Sequence, residues 1–195
     1  MPKIAVIYGS SRHNGTGDRV VNHFKKVAST IKDAEIKFLT VRDYDLPFFD
    51  DDVPLMVPDR QLTGNAQKWV EDVKDADGYL IITPEYNRSI PGVLKNGIDY
   101  LGYEIKGKPV KIVSYSINMA GGAKAATALV DMLHMLNAVA LPTNTALSKA
   151  QEWLNADGSF NQDADGYKYN VETAQNAFQE IIYYANALKD SPYQK

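Results

Sequence analysis

Residues 3–31 read KIAVIYGSSRHNGTGDRVVNHFKKVASTI, and three textures follow one another in them. Lys3 to Tyr8 is a short, unbroken apolar run rich in β-branched residues. That is the pattern of a strand covered on both faces, not of one with a wet side. Gly9 to Gly17 is a loop of small and hydroxylated residues with Arg12 and His13 among them. From Asp18 to Ile31 apolar residues return at helical spacing, at Val20, Val21, Phe24, Val27, Ala28 and Ile31. Strand, small-residue loop and helix in this order open a βα unit, and such a strand needs parallel neighbours reached by crossovers.

The rest of the chain repeats the theme. Strand-like runs lie at Glu35–Leu39, Gly78–Thr83, Lys108–Val113 and Ala138–Pro142, and helical spacing at 65–74, 93–101, 121–136 and 171–188. Pro91 suits the first turn of the helix that follows it. Residues 42–63 are rich in Asp and Pro and read as loop. Five strands alternating with helices predict an α/β three-layer sandwich around a five-stranded parallel sheet with right-handed crossovers. Residues 148–170 read as a turn-rich excursion. Its two Asp-Gly pairs, Asp157-Gly158 and Asp165-Gly166, lack the regular acids and closing glutamate of a calcium loop, which favours plain surface turns.

Composition narrows the function. A chain of 195 residues is long enough for one domain, here 1–195, with a sizeable core. Net charge is −3 and there is no basic stripe, which argues against a nucleic-acid partner. The absence of cysteine excludes disulfides, thiol nucleophiles and thiolate metal sites. No apolar run is long enough to cross a membrane and no secretory leader is evident, so a cytoplasmic protein is expected. His13, His23 and His134 are not at metal-ligand spacing, so no metal is expected. His23 is read as lying on a solvated helix face, His134 as packing, and His13 as a residue of the Gly9–Gly17 loop within reach of an anion held there. A hydrolase would need a Gly-x-Ser-x-Gly elbow, and none occurs.

In an open parallel sheet a ligand sits beyond the carboxyl ends of the strands, where the chain order reverses. Three strand ends carry unusual residues. The first is Gly9–Gly17, where Ser10, Ser11, Thr16 and the fork of Arg12 precede a helix whose first N–H groups have no intrahelical partner. The same residues also make an ordinary helix cap. The loop is neither a Walker A loop nor a dinucleotide fingerprint, since the glycines fall at 9, 15 and 17. A mononucleotide phosphate fits it better than a pyrophosphate. The second end is Thr83–Ser89, where Pro84, Glu85, Tyr86 and Asn87 offer backbone amides, a carboxamide and a ring to a flat heterocycle. The third is Ser114-Tyr115-Ser116 followed by Gly121-Gly122, whose glycines permit close backbone approach. Phosphate at one end and a flat polar ring at the other describe a nucleotide, of which FMN in such a sheet is one.

Thr83-Pro-Glu-Tyr-Asn-Arg-Ser-Ile-Pro-Gly-Val-Leu-Lys-Asn-Gly-Ile-Asp-Tyr100 closely resembles the signature of the NADPH-dependent FMN reductase family, which includes quinone, azo and chromate reductases. Gly9–Val20 resembles the same family's Gly-Ser-Thr-Arg-Pro-Gly-Arg-x-Gly-x-x-Val, and Lys106–Val110, Val113–Tyr115 and Gly121-Gly122 fall in step. The resemblance covers residues 3 to 145. It implies a flavodoxin-like fold with strand order 2-1-3-4-5, bound FMN, NAD(P)H as co-substrate, a small-molecule acceptor and a homodimer or homotetramer. Under it Ser10, Arg12, Thr16 and Gly17 hold the phosphate. Pro84, Glu85, Tyr86 and Asn87 line the isoalloxazine edge, and Ser114, Tyr115 and Ser116 flank the ring. No side chain is required as an acid or base, so no catalytic residue is named. Gly15 stands where the related motif has a second arginine, Ser116-Ile117 replaces a usual Gly-Gly, and Tyr100 replaces a frequent tryptophan. The rival expectation is an electron carrier or flavin-binding module with no NAD(P)H reaction of its own. Such carriers are more acidic and use a Ser/Thr-x-Thr-Gly-x-Thr loop, which is absent.

Overall fold

A computed structural model describes residues 1–54, 56–57 and 60–190. Its sheet has five parallel strands in the order β2-β1-β3-β4-β5. These are β1 (Lys3–Tyr8), β2 (Glu35–Thr40), β3 (Gly78–Pro84), β4 (Pro109–Ser116) and β5 (Val139–Ser148). The helices are α1 (Thr16–Ala28), α2 (Gly64–Lys74), α3 (Gly92–Asp99), α4 (Ala123–Met135), the short α5 (Ala150–Trp153) and α6 (Tyr167–Asn170), and α7 (Thr173–Asp190). Between β2 and α2 the described residues form only a 3-10 turn, Val41–Tyr44. Leu55, Pro58 and Asp59 of the expected loop lie outside the described residues.

Because neighbouring strand residues point to opposite faces, each strand feeds two cores. Ile7, Ile81, Val110 and Ile112 pack with Trp69, Leu94, Leu129 and Leu133 of α2, α3 and α4. Ile4, Val6, Leu80 and Val113 pack with Val20, Phe24, Phe178 and Ile181 of α1 and α7, and with Trp153 of α5. With both faces covered, the unalternating apolar runs of β1 and β3 are explained: every residue of β3 is buried. Trp69 is fully buried, and its indole N–H donates to the Gly97 carbonyl at 2.8 Å, so the ring adds apolar burial without an unpaired donor.

Two expectations need correction. The fifth strand does not stop at Pro142 but runs to Ser148. The register breaks between Val110 and Ile112 of β4, whose partners are Ala140 and Asn144, so Leu141, Pro142 and Thr143 lie opposite Lys111 alone. A bulge on an edge strand absorbs a proline that a central strand would not accept.

His23 is not on a solvated face; it is 6% exposed. The excursion after β5 folds back on α1 and covers it. His23 Nδ1–H donates to the Gly158 carbonyl at 3.1 Å and the ring packs against Phe160 at a tilt of 56°, centroids 4.7 Å apart. Lys26 pairs with Asp157 at 2.7 Å, and Arg19 donates to the Leu154 carbonyl at 2.8 Å. Gly158 turns at φ 81°, where a side chain would strike the backbone of α1, so the Asp-Gly turn is read correctly and its purpose is docking.

Burial lowers the pKa of His23, the bond to Gly158 opposes this, and nearby Lys26 adds to it. The unfolded chain therefore takes up a proton here before the native one does. Stability falls as pH drops below the ordinary histidine value of about 6.5. A urea midpoint lower at pH 5.5 than at pH 7.5, with a shallower pH slope in His23→Gln, is the expected result. Equal slopes would remove His23 from the account.

Candidate functional site

The strand order places the switch point between β1 and β3, since the chain leaves β1 toward β2 and returns on the other side as β3. A cleft of about 450 Å³ opens there, within the range of small-molecule sites. Its walls come from all three unusual strand ends. Ser10, Arg12, Thr16 and Gly17 form one side, Pro84, Glu85 and Tyr86 the second, and Tyr115 and Ser116 the third. Thus nine of the eleven residues expected from sequence meet in one cleft.

The other two stand elsewhere. Ser114 is buried, and its hydroxyl donates to the Gly121 carbonyl at 2.8 Å. It fixes the approach of Gly122, which at φ 82° comes so close that a Cβ would lie 2.9 Å from the Tyr115 carbonyl. Asn87 is exposed at the tip of a tight turn closed by Tyr86 and Ser89, each of which donates its N–H to the other's carbonyl, at 2.9 and 3.0 Å. Asn87 and Arg88 both have positive φ, 50° and 65°. The asparagine therefore shapes the turn instead of lining the cleft. Glu85 lines the cleft, but its carboxylate accepts the N–H of Lys124 at 3.0 Å and so caps α4. This ties the second wall to the helix that follows the third.

The first wall is built for an anion. The N–H groups of Thr16 and Gly17 open α1 and have no intrahelical acceptor. Asp18 accepts from Gly15 N–H at 3.2 Å and from Arg42 at 3.3 Å, so its charge is compensated next to the helix start. Arg42 also donates to the Arg12 carbonyl, which braces the loop from outside. The guanidinium of Arg12 has no partner among the described residues and extends into the cleft's exposed edge.

Beneath α1 the hydroxyls of Tyr8, Ser10 and Tyr115 lie close together, and the Ser10 hydroxyl accepts from Arg12 N–H at 3.2 Å. Burial pushes the Tyr8 and Tyr115 pKa values up, so both stay protonated. Gly17 rests on the two phenol oxygens, leaving no room for a Cβ. The Tyr86 hydroxyl is buried and has no hydrogen-bond partner among the described residues. Leaving such a group unpaired costs about 1–3 kcal/mol. An acceptor-rich ligand in the cleft would relieve that cost. Free helix N–H groups, an unpaired arginine and an orphaned phenol fit a phosphorylated, polar ligand such as FMN.

Sequence reasoning passed over Tyr8, Asn14, Arg19 and Asn118, which line the cleft, and marked Gly15 and Ile117, which line it too, only as departures from the family motif. Asn14, at φ 56°, was readable as an Asn-Gly turn. Tyr8 was taken as strand, and only the alternation of β1 shows that it faces α1. Among the described residues no cluster of His, Asp and Glu is arranged to hold a metal ion, and no helix is long and apolar enough to cross a membrane.

Comparison with known proteins agrees with this geometry. The family model for NADPH-dependent FMN reductase matches residues 2–152. A Nectria sp. protein named NAD(P)H-dependent FMN reductase ntnL is 37% identical over 141 residues, 70% of this chain and 69% of its own. The quinone reductase of Escherichia coli K12 is 32% identical over 143 residues, 71% and 73% of the two chains. Among solved structures, FerB from Paracoccus denitrificans, a flavoenzyme NAD(P)H:(acceptor) oxidoreductase, superposes with a TM-score of 0.74 at 27% identity and covers 96% of this chain and 98% of its own. Sheet order, cleft and family signature converge, and the chain belongs to the NADPH-dependent FMN reductase family.

Proposed function

We propose that this chain is a single-domain FMN-dependent NAD(P)H oxidoreductase working by a ping-pong cycle. The observation that carries the reading is the cleft at the β1–β3 switch point, where an unpaired Arg12, the start of α1 and the orphaned Tyr86 hydroxyl converge. FMN, when bound, would supply the chemistry, a two-electron transfer from NAD(P)H to a quinone, azo compound, free flavin or similar small acceptor. Ser10, Arg12, Thr16 and Gly17 hold the phosphate. The Pro84–Asn87 turn presents backbone groups to the ring's edge, with Tyr86 lining it, and Tyr115 and Ser116 flank the ring. Backbone N–H groups at the cleft would offset negative charge that builds up there on reduction. NAD(P)⁺ leaves before the acceptor enters, since one cleft serves both. No side chain acts as a catalytic acid or base, and the reaction needs no metal. The location that follows is cytoplasmic, where NAD(P)H is supplied.

Stopped-flow mixing of the purified yellow protein with NADPH tests the reading. Bleaching of the flavin absorbance within seconds is expected; bleaching only over hours would make the chain a carrier. Arg12→Ala is expected to raise the FMN dissociation constant about tenfold, the loss of one charge-assisted bond. Riboflavin, which lacks the phosphate, should bind both proteins alike.

We further propose a homodimer, or a tetramer built from it, through the loop at Leu46–Asp50. Phe48 there is 86% exposed, while the loop is braced on α3: Asn96 donates to the Pro47 carbonyl at 2.8 Å and accepts from Phe49 N–H at 2.9 Å. A fixed loop displaying an exposed phenylalanine suits a subunit contact. Light scattering should return a multiple of the chain mass, and Phe48→Asp should lower it; a monomeric wild type sinks this assignment.

A further inference from the structure

We propose that Ile117 and Met119 determine acceptor specificity, forming an apolar rim that selects flat, apolar electron acceptors over small anionic ones. The proposal rests on the FMN reductase reading of the cleft and names the kind of molecule that its open side prefers. Both side chains are largely in water, 70% exposed for Ile117 and 74% for Met119. Ile117 belongs to the cleft's third wall, and Met119 follows two residues later on the same loop between β4 and α4.

Exposed apolar side chains on a loose loop retract onto the nearest greasy surface. This loop is not loose. Asn118 Oδ1 accepts from the Ser116 hydroxyl at 2.8 Å and from Ala120 N–H at 2.9 Å. The last residue of β5 and the excursion beyond it hold the loop from its other side. The Ser148 hydroxyl donates to the Met119 carbonyl at 2.6 Å, Lys149 N–H to the Asn118 carbonyl at 3.3 Å, and Gln151 to the Ile117 carbonyl at 3.3 Å. The same excursion grips α1 through Arg19, His23 and Lys26, so the rim is set at a fixed place relative to the phosphate wall.

The chemistry of the rim follows from what its polar groups are already doing. Ser116 and Asn118 are bonded within the loop, and nearby Lys149 pairs with Glu152 at 3.4 Å. An anion arriving here meets no unpaired cation of this loop, while the unpaired Arg12 stands on the opposite wall with the phosphate. A flat apolar acceptor finds Ile117 and the adaptable thioether of Met119, and it removes both from water as it binds.

The test compares the wild type with the Ile117→Ser/Met119→Ser double variant and with Ile117→Leu, all as holoenzymes. The first readout is the ratio of kcat/KM for a naphthoquinone to kcat/KM for ferricyanide. It is expected to fall about tenfold in the double variant, through KM rather than kcat, because two apolar contacts are lost. Ile117→Leu should keep the ratio near the wild-type value. The second readout is equilibrium binding of 1-naphthol, which the flavin cannot reduce, to the oxidised protein; its dissociation constant should rise by a similar factor. A ratio within twofold of wild type, or unchanged naphthol binding, overturns the proposal. So does a loss that follows conversion to a smaller oligomer, since the pair would then be a subunit contact. A wild type that binds FMN and reduces acceptors, with no such ratio change in the double variant, refutes the rim alone. A wild type that binds no FMN overturns the reading of the cleft and the rim with it.

Discussion

Gly17→Ala is expected to strip the protein of FMN. At most positions inside a helix this exchange stabilises by about 0.5–1 kcal/mol, because glycine loses more chain entropy on folding. Here the sign reverses. The new methyl would occupy the space of the Tyr115 and Tyr8 hydroxyl oxygens, which lie directly against the backbone of Gly17. Either the buried phenols are displaced beneath α1, or α1 lifts away from the sheet. Overpacking of this kind costs about 1–3 kcal/mol of stability. The loss of two aligned donors at the phosphate wall should weaken FMN binding on the order of 100-fold. Flavin fluorescence during titration reads the affinity and a urea curve reads the stability. Gly15→Ser is the control two residues earlier. Nothing lies within 4 Å of a Cβ there, and serine is a good residue at that cap, so stability should stay within about 0.5 kcal/mol. If Gly17→Ala retains FMN with wild-type affinity, the tyrosine floor is not part of the site.

Glu180→Ala should be among the most destabilising single changes away from the cleft. Lys111 lies in the middle of β4 with only 3% of its side chain exposed, and its ammonium meets Glu180 of α7 at 2.5 Å. It also donates to the Thr143 carbonyl at 2.9 Å and hydroxyl at 2.6 Å. Removing the carboxylate leaves a buried charge facing only neutral partners, which costs about 3 kcal/mol, the low end of such losses because Glu180 itself is 23% exposed. The double change Lys111→Met/Glu180→Leu removes both charges and should restore most of that stability. Urea midpoints decide the energetics. Amide exchange should show the damage concentrated in β5 after Pro142, since Lys111 and Glu180 together hold Thr143 across the bulge, the Thr143 hydroxyl donating to the carboxylate at 2.7 Å. Uniform loss over the sheet would refute that local role.

How much was legible from sequence can be judged at these positions. Lys3–Tyr8 and Gly78–Thr83 were readable because a strand buried on both faces leaves an unbroken apolar run, and Gly9–Gly17 because a helix start needs small, polar residues. The loop at Thr83 was readable as part of a site, but not the separate duties within it. Glu85 turns to cap α4, and Asn87 turns the chain through a positive φ. Ser114 looked like a contact to the ring and instead anchors Gly121 from within the core. A loop's composition says that polar groups are available; only the placement of neighbouring elements says which of them are already used.

His23 and Pro142 fail for the same reason. His23 has a solvated look because a helical wheel shows one wet face, yet the excursion ending at Gly166 covers that face from more than a hundred residues away. Pro142 ended the expected strand because proline removes a ladder hydrogen bond, yet an edge strand with a bulge spares that bond. From its sequence alone, then, this protein has its layer order, its parallel sheet and the strand ends that carry its cleft, since these follow from local hydrophobic pattern and turn chemistry. The tertiary structure alone decides the tyrosine floor under Gly17, the burial of His23, the strand beyond Pro142 and the braced rim at Ile117. Each depends on contacts between residues distant in the chain, and no local pattern encodes which distant surface will arrive.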